Sequence, residues 1–345
     1  MRTSAVLGVI LSLCAFGVVG LAHAETPVTH TEAAVTHAGA AVTHAGAGIA
    51  HIARIEQLTP TRSAVFVDSP SMRREVQVQV LHPASVLGTR PTFYLLDGVS
   101  AGSESGYTES TWTQNTDIEA FFADKDVNVV LPVGGTGSFY TDWRSDDPNL
   151  GVNKWESFLT RELPPLIDES FDGNGTNLVG GVSMGALAAG NLITRNPDLY
   201  TGLASYSGCL DTTAPYSQDF VRATVASKNG DATNMWGPAG DPDWLDHNPS
   251  GNAEALRGKT IYSSASTGLP GAHNTVLSLD GVTAIIRGGP LEALVHSCTQ
   301  VFESRLEDLG ITGVFAYRDS GTHSWSYYQD ALHDSWPILE SALRR

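Results

Sequence analysis

The sequence predicts an α/β domain built on a mostly parallel central sheet with helices on both faces. Three observations carry this. Short apolar runs alternate with segments of helical period along most of the chain, the pattern of strands joined by helical crossovers. Residues 92–96 and 127–133 are apolar without alternation, as expected of buried strands. Third, a short apolar run passes through Gly181-Val182-Ser183-Met184-Gly185 into a small-residue helical pattern at 186–193. That stretch has the form G-x-S-x-G, in which a strand turns sharply into a helix and lifts one serine to the top of a sheet. Glycine at 181 and 185 removes the side chains that would clash in so tight a turn.

The elements follow in order. Arg2, an apolar stretch at 5–21 and Ala22-His23-Ala24 make residues 1–24 a signal peptide with an A-x-A cleavage site. Export is therefore expected, with Glu25 as the first mature residue. Residues 25–57 form a low-complexity arm. Val-Thr-His recurs from Val28, Val35 and Val42, and Ile49-Ala50-His51 follows, so His30, His37, His44 and His51 are seven apart. On a helix they would lie about 10.5 Å apart along the axis, too far for two to share one ion. With so little apolar area the arm reads as a flexible tether or an envelope contact, with weak metal binding or a pH response as the sharper alternative.

Residues 58–345 form the domain, whose first apolar signals start near Ile55. Val76, Val78 and Val80 alternate with Gln77 and Gln79 as a half-buried strand. Residues 92–96 run as a buried strand into Asp97-Gly98. Residues 102–116 are loop-like, 118–122 a short helix and 127–133 a buried strand. Trp155, Phe158, Leu159 and Leu163 have helical spacing, ended by Pro164-Pro165. After the glycine-flanked serine come strands at 200–207 and 259–264. Between them, 209–257 is an irregular excursion rich in Pro, Gly, Asp and Asn. A helix at 290–309, a strand at 314–317 and a helix at 327–343 complete the chain.

A chain of 345 residues with 41 % hydrophobic and 17 % charged residues is globular and can bury a sizeable core. Acidic residues outnumber basic ones 37 to 20, a net charge of −17, which argues against a nucleic-acid partner. No stretch after the signal peptide is long and apolar enough to span a bilayer. Cys14 falls in the signal peptide, and Leu13 before it is too large for a typical lipoprotein cleavage site. Cys209 and Cys298 remain, and an even pair in an exported chain suggests one disulfide.

A serine hydroxyl is a weak nucleophile until a neighbouring base takes its proton, and that base must be held by an acid. In the α/β-hydrolase fold the chain order is serine, acid, histidine. Ser183 is the candidate nucleophile. His323, in Gly321-Thr322-His323-Ser324-Trp325 just past the last strand, is the candidate base. His247 and His273 lie in loops as possible substrate contacts, and His333 lies inside a helix. The residues alone leave the acid open between Glu292, in the first turn of a helix, and Asp280, in a turn. The oxyanion hole takes the backbone N–H of Met184 and of Val99, in the loop after an early strand. Asp97, at that strand end, is either a turn cap or a hydrogen-bonding partner for a substrate hydroxyl.

Several further stretches stand in a telling order. They are Phe93-Tyr94-Leu95-Leu96-Asp97-Gly98, Leu131-Pro132-Val133-Gly134-Gly135, Ser138-Phe139-Tyr140-Thr141-Asp142-Trp143, residues 154–160, Met235-Trp236-Gly237-Pro238 and residues 321–325. Together they resemble the secreted mycolyltransferases of the antigen 85 family, from about residue 60 to the C-terminus. The resemblance implies an α/β-hydrolase fold, a Ser-Glu-His triad and no metal or organic cofactor. It moves the acid to Glu292, since the family's acid lies in a Leu-Glu stretch matched by Leu291-Glu292. It implies sugar contacts at Asp97 and Asn115 and an acceptor pocket lined by Trp325. Cys209 and Cys298 resemble positions of corynebacterial-type members, in keeping with a disulfide.

The activity so implied is transfer of a mycolyl group from trehalose monomycolate, through an acyl-Ser183 enzyme, to a second trehalose or to cell-wall arabinogalactan. The setting is a mycolate-containing envelope outside the cell. A secreted carboxylesterase on the same residues, and a non-catalytic carbohydrate-binding protein, are the alternatives. The excursion at 209–257 is a candidate wall for the acyl groove. The chain also departs from the family. Ser100 replaces an arginine three residues after the Asp97 position. Ser145-Asp146-Asp147-Pro148-Asn149 replaces a cysteine-bracketed loop, the fibronectin-binding stretch has no match, and the histidine repeat lies outside the resemblance.

Overall fold

β1 (His51–Thr59), β2 (Arg62–Ser69) and β3 (Arg74–Leu81) form an antiparallel meander in the computed structural model, which describes residues 48–84 and 88–343. β3 pairs antiparallel with β5 (Asn128–Val133). From there every pair is parallel: β5 with β4 (Arg90–Leu96), β4 with β6 (Gly173–Val182), then β7 (Tyr200–Tyr206), β8 (Thr260–Ser266) and β9 (Val314–Arg318). The order is β1-β2-β3-β5-β4-β6-β7-β8-β9. The sheet is mostly parallel, as the alternating pattern predicts.

This order fixes where a site can form. After β4 the chain crosses to β5 on one side, and after β6 it crosses to β7 on the other. The carboxyl ends of β4 and β6 therefore flank a crevice at the topological switch point, the usual ligand position in open α/β sheets. Leu96 stands opposite Gly181 in the β4–β6 register, so Asp97-Gly98-Val99 and Ser183 leave the sheet side by side.

Each face of the sheet buries its own core. On β4, Tyr94 and Leu96 join Trp155, Phe158 and Leu163 on one face. Phe93 and Leu95 join Trp336 and Leu339 of the C-terminal helix (Trp325–Leu343) on the other. A strand buried on both faces has no polar side to display, which explains the unbroken apolar run at 92–96.

Some elements differ from the sequence expectation. Pro164-Pro165 do not end their helix. Trp155–Ser157 runs into a π-helical turn at Phe158–Glu162, where the Leu163 N–H reaches back to Phe158 O, and Leu163–Ser170 continues beyond it. The two prolines occupy the opening turn of that last segment, where a missing N–H costs little. The loop-like stretch 102–116 holds a short helix, Thr111–Asn115. It covers β3, so Gln79 is fully buried and donates to Thr108 O at 3.1 Å instead of facing solvent. The excursion 209–257 contains a helix at Pro215–Ala226 whose Val221 and Val225 are buried. Its polar composition hides those two anchors.

β1 is an exposed edge strand with no buried face to give period two, and it begins six residues before the expected end of the arm. His51 is its first residue and meets Asp68 at 3.3 Å. Residues 51–57 thus belong to the sheet. The signal segment, Cys14, His30, His37 and His44 lie outside the described residues.

Cys209 and Cys298 form a disulfide with Cα atoms 5.1 Å apart, as parity and export suggest. It ties the segment after β7 to the helix Gly289–Asp308 across 89 residues of sequence. Closing so long a loop restricts the unfolded chain strongly. Cys209→Ser/Cys298→Ser is expected to lower stability by about 2–4 kcal/mol. Denaturant melts of oxidised, reduced and double-variant protein check this; coincident melts would contradict it.

Candidate active site

Ser183 joins β6 to the helix Met184–Arg195 with φ 56° and ψ −116°, a conformation an L-residue adopts only under strain. The flanking glycines are required by contact. A Cβ on Gly181 would lie 2.3 Å from Gly185 O, and one on Gly185 would lie 2.4 Å from Asp97 O. The Ser183 N–H is held by Tyr206 O at 2.9 Å. Met184 opens the helix, so its N–H has no intrahelical acceptor and is free for an oxyanion. The Gly98-Val99 loop passes beside it, with a Cβ built on Gly98 3.8 Å from Ser183 Cβ. Val99 O accepts from Gly137 N at 3.1 Å, which pins the loop from behind.

His323 Nε2 lies 2.8 Å from Ser183 Oγ, and its Nδ1 lies 2.7 Å from Glu292 Oε2. A neutral imidazole donating Nδ1–H to a carboxylate leaves Nε2 to accept the serine proton. The His323 N–H donates to Gly288 O at 3.2 Å, the last residue of the π-helical turn Ala284–Gly288. That turn feeds directly into the helix carrying Glu292. Glu292 is buried, and its Oε1 accepts from Ser207 Oγ and from Ser266 N, both at 2.8 Å. Burying a carboxylate is costly unless it is hydrogen-bonded; here three donors hold it. Asp280 is exposed on a short helix. The two residues left open by the sequence are thus separated by burial and bonding, in favour of Glu292.

Ser207 and Ser266 were not legible as site residues. Their only signal is position, at or just past the carboxyl ends of β7 and β8. Tyr328 carries no sequence signal either. Its ring stands edge-on to His323 at 5.4 Å, and burial, then the nearby Glu292 charge, pushes its hydroxyl well above the usual range.

The Asp97 expectation needs correction. Its carboxylate is buried and saturated from within: Ser110 Oγ and Trp112 N donate to Oδ1, Thr111 N and Oγ1 to Oδ2. It anchors the start of the helix Thr111–Asn115 and offers no free oxygen to a sugar. Burial pushes its pKa up to about 6 against the lowering effect of those four bonds. Asn115 is exposed, with its amide donating to Thr111 O at 3.1 Å, and does not line the cleft described next. His247 is buried and stacked on Trp236 at 4.8 Å, so it is a packing residue and not a substrate contact. His273 pairs with Asp330 at 2.8 Å. His333 faces a neighbour, Asp117, at 2.9 Å.

Ser183 stands between two hollows. A cleft of about 130 Å³ is lined by Gly98, Val99, Ser100, Thr111, His323, Ser324, Trp325 and Tyr328. On the other side a narrow, mostly apolar slot runs among Phe139, Leu187, Phe220, Val221 and Val295. Part of its wall comes from the excursion 209–257. A larger hollow of about 430 Å³ lies at the amino ends of β8 and β9, among Arg257, Lys259 and Gly310, at the opposite end of these strands from the His323 loop. Among the described residues, no group of three or more His, Cys, Asp or Glu is arranged to hold a metal ion. Nor is any helix among them long and apolar enough to cross a membrane.

Fold and site together define an α/β-hydrolase of the serine esterase and acyltransferase class. The chain matches the Esterase family ("Putative esterase") over residues 69–338. It is 33% identical over 288 residues to the diacylglycerol acyltransferase/mycolyltransferase Ag85A of Mycobacterium leprae, covering 80% of this chain and 82% of that protein. It is 31% identical over 298 residues to Ag85B of Mycolicibacterium smegmatis, covering 81% and 84%. The chain belongs to the antigen 85 family. Among solved structures it is similar in fold to Mycobacterium tuberculosis MPT51 (FbpC1), with a TM-score of 0.67, 24% identity and 84% and 99% of the two chains covered. An S-formylglutathione hydrolase from Agrobacterium tumefaciens shares the fold at a TM-score of 0.60 and 15% identity, covering 84% and 99%.

Two outcomes are expected. Ser183→Gly and Ser183→Ala both remove the hydroxyl, but only glycine relaxes at φ 56°. The glycine variant should be more stable than the alanine variant by about 1–2 kcal/mol in denaturant unfolding. Asp97 gives a pH signature. Its folded pKa, about 6, is raised above the ordinary aspartate value of 3.8, so the folded state binds the proton more tightly. Its contribution to stability is full below about 4 and is lost as pH rises through about 6. Melting temperatures of wild type and Asp97→Asn across this window should differ in slope, with the variant flatter; parallel curves would exclude the effect.

Proposed function

We propose that this chain is a secreted acyltransferase that moves a mycolyl group from trehalose monomycolate to a second sugar hydroxyl. The observation that carries the reading is the Ser183–His323–Glu292 relay, at 2.8 and 2.7 Å, in a chain of the antigen 85 family. The acceptor is a second trehalose, giving trehalose dimycolate, or cell-wall arabinogalactan. Export follows from the expected signal peptide at 1–24.

Ser183 Oγ attacks the ester carbonyl as its proton passes to His323 Nε2, and Glu292 stabilises the imidazolium. The oxyanion of the tetrahedral intermediate is held by the Val99 and Met184 N–H groups. On collapse, the trehalose oxygen leaves and takes the proton from His323. The product is an ester of Ser183. A second sugar 6-hydroxyl then gives its proton to His323 and attacks that ester, which restores the serine. Transfer in place of hydrolysis requires the sugar to compete with water for the acyl-enzyme. The cleft beside Trp325, Thr111 and Ser324 supports a sugar site there. Ser100, in place of the family arginine, makes it less cationic. The apolar slot on the far side of Ser183 supports a place for the start of the acyl chain. Asp97 acts indirectly, by holding the helix Thr111–Asn115 against the oxyanion loop.

Incubation with trehalose monomycolate, followed by product separation, tests the proposal. Trehalose dimycolate should accumulate with wild type, and Ser183→Ala should form neither product nor acyl-enzyme. Release of free mycolic acid alone, even at high trehalose, would make the chain an esterase and sink the transferase reading. Labelling of Ser183→Ala by an ester probe would sink the nucleophile.

A further inference from the structure

Two neighbouring strand ends beside the site carry the same backbone device. Ser183, directly after β6, and Ser207, directly after β7, both have left-handed φ, 56° and 51°. A residue with a Cβ is strained there and glycine is not. At Ser183 the nucleophilic hydroxyl accounts for the side chain. At Ser207 a glycine would relieve the backbone, so the serine calls for a reason of its own.

That reason lies in its partner. Ser207 is buried, and its Oγ donates to Glu292 Oε1 at 2.8 Å. The other donor to this oxygen is the Ser266 backbone N–H, also at 2.8 Å. With Oε1 held twice, Oε2 is turned to His323 Nδ1 at 2.7 Å. Two donors from two strand ends leave the carboxylate little freedom to rotate away from the imidazole.

The strain at Ser207 is imposed from both sides. Its N–H donates to Ser264 O at 2.9 Å, which keeps its backbone paired with β8. The next residue, Gly208, passes so close to the helix after Ser183 that a Cβ there would lie 2.3 Å from Ala186 Cβ. Cys209 then bonds to Cys298 on the Glu292 helix. Residues 207–209 thus meet the nucleophile's helix and the acid's helix in turn, and the chain bends sharply at Ser207 to do so.

We infer that Ser207 is a positioning residue for the reaction: its hydroxyl fixes the Glu292 carboxylate against His323, and the left-handed backbone at 207 is what aims it. The inference rests on the Ser183–His323–Glu292 relay and not on which acceptor takes the acyl group. During acyl transfer His323 gains the serine proton. A carboxylate already in place stabilises that charge without first reorganising. Loss of the hydroxyl therefore weakens the transition state and not the bound substrate. Activity should follow the hydroxyl, whereas stability should follow the backbone.

Steady-state rates on a soluble short-chain ester, with thermal melts of the same proteins, test this. Ser207→Gly and Ser207→Ala should both lose about tenfold or more in kcat, with KM changed little. The glycine variant should melt about 2–4 °C above the alanine variant. Ser207→Thr keeps the hydroxyl but adds a β-branch that a left-handed backbone disfavours. It should melt below Ser207→Gly while recovering most of the lost kcat. A serine with a merely structural role would not make the better-folded variant the slower enzyme. Wild-type kcat in Ser207→Gly, or rates that rank with melting temperature across the three variants, would overturn the inference. Ser183→Ala separates the two levels. It should abolish turnover, and turnover retained there would overturn the relay itself and the inference with it.

Discussion

The site depends on one close backbone approach. The start of the helix after Ser183 lies against the end of β4 so tightly that a Cβ on Gly185 would come within 2.4 Å of Asp97 O and 2.8 Å of Leu96 O. This contact sets Met184 and the Gly98-Val99 loop beside one another. It also forces Ser183 into its strained turn, because the chain must reverse within a single residue. The strain is tolerated because β6 is hydrogen-bonded on both sides, to β4 and β7, and cannot yield.

The second support is the cradle around Glu292. The helix Gly289–Asp308 does not belong to the sheet, yet its first turn is bound to two strand ends through Ser207 and Ser266. His323 joins the same cradle through its ring and its backbone. The disulfide ties this helix to the segment after β7, six residues beyond Glu292. Glu292, His323 and Ser183 thus come from three regions of the chain, held in register by the carboxyl ends of β6, β7 and β8. The segment joining β8 to the Glu292 helix is, in consequence, fastened at its two ends. Asn274 fastens its middle as well, to Thr322 and Tyr327, and beyond it Val276, Leu277 and Leu279 face outward.

Much of this was legible without coordinates, and the pattern of what was legible has a physical cause. The serine turn is a local steric device, so its glycines announce it. β4 and β5 are buried along their whole length and show apolar runs, whereas β6 is buried only from Asn177 on and is apolar only over its last five residues. β1 was missed because an exposed edge strand has no buried face to impose period two. The helix at Pro215–Ala226 was missed because two buried valines cannot stand out in a polar context. Pro164-Pro165 misled because a π-helical turn before them removes the usual penalty.

The sequence by itself determined the fold class and singled out Ser183, His323 and the Met184 and Val99 amides as candidates, since each follows from short-range spacing around a strand end. Family resemblance, not spacing, separated Glu292 from Asp280. Tertiary structure alone decided that Glu292 is buried and bonded on both oxygens while Asp280 stays in solvent. It also turned Asp97 from an expected sugar contact into the anchor of the helix at Thr111. The reason is the same in both cases: a carboxylate's role is set by the donors that surround it, and those donors come from segments far away in the chain.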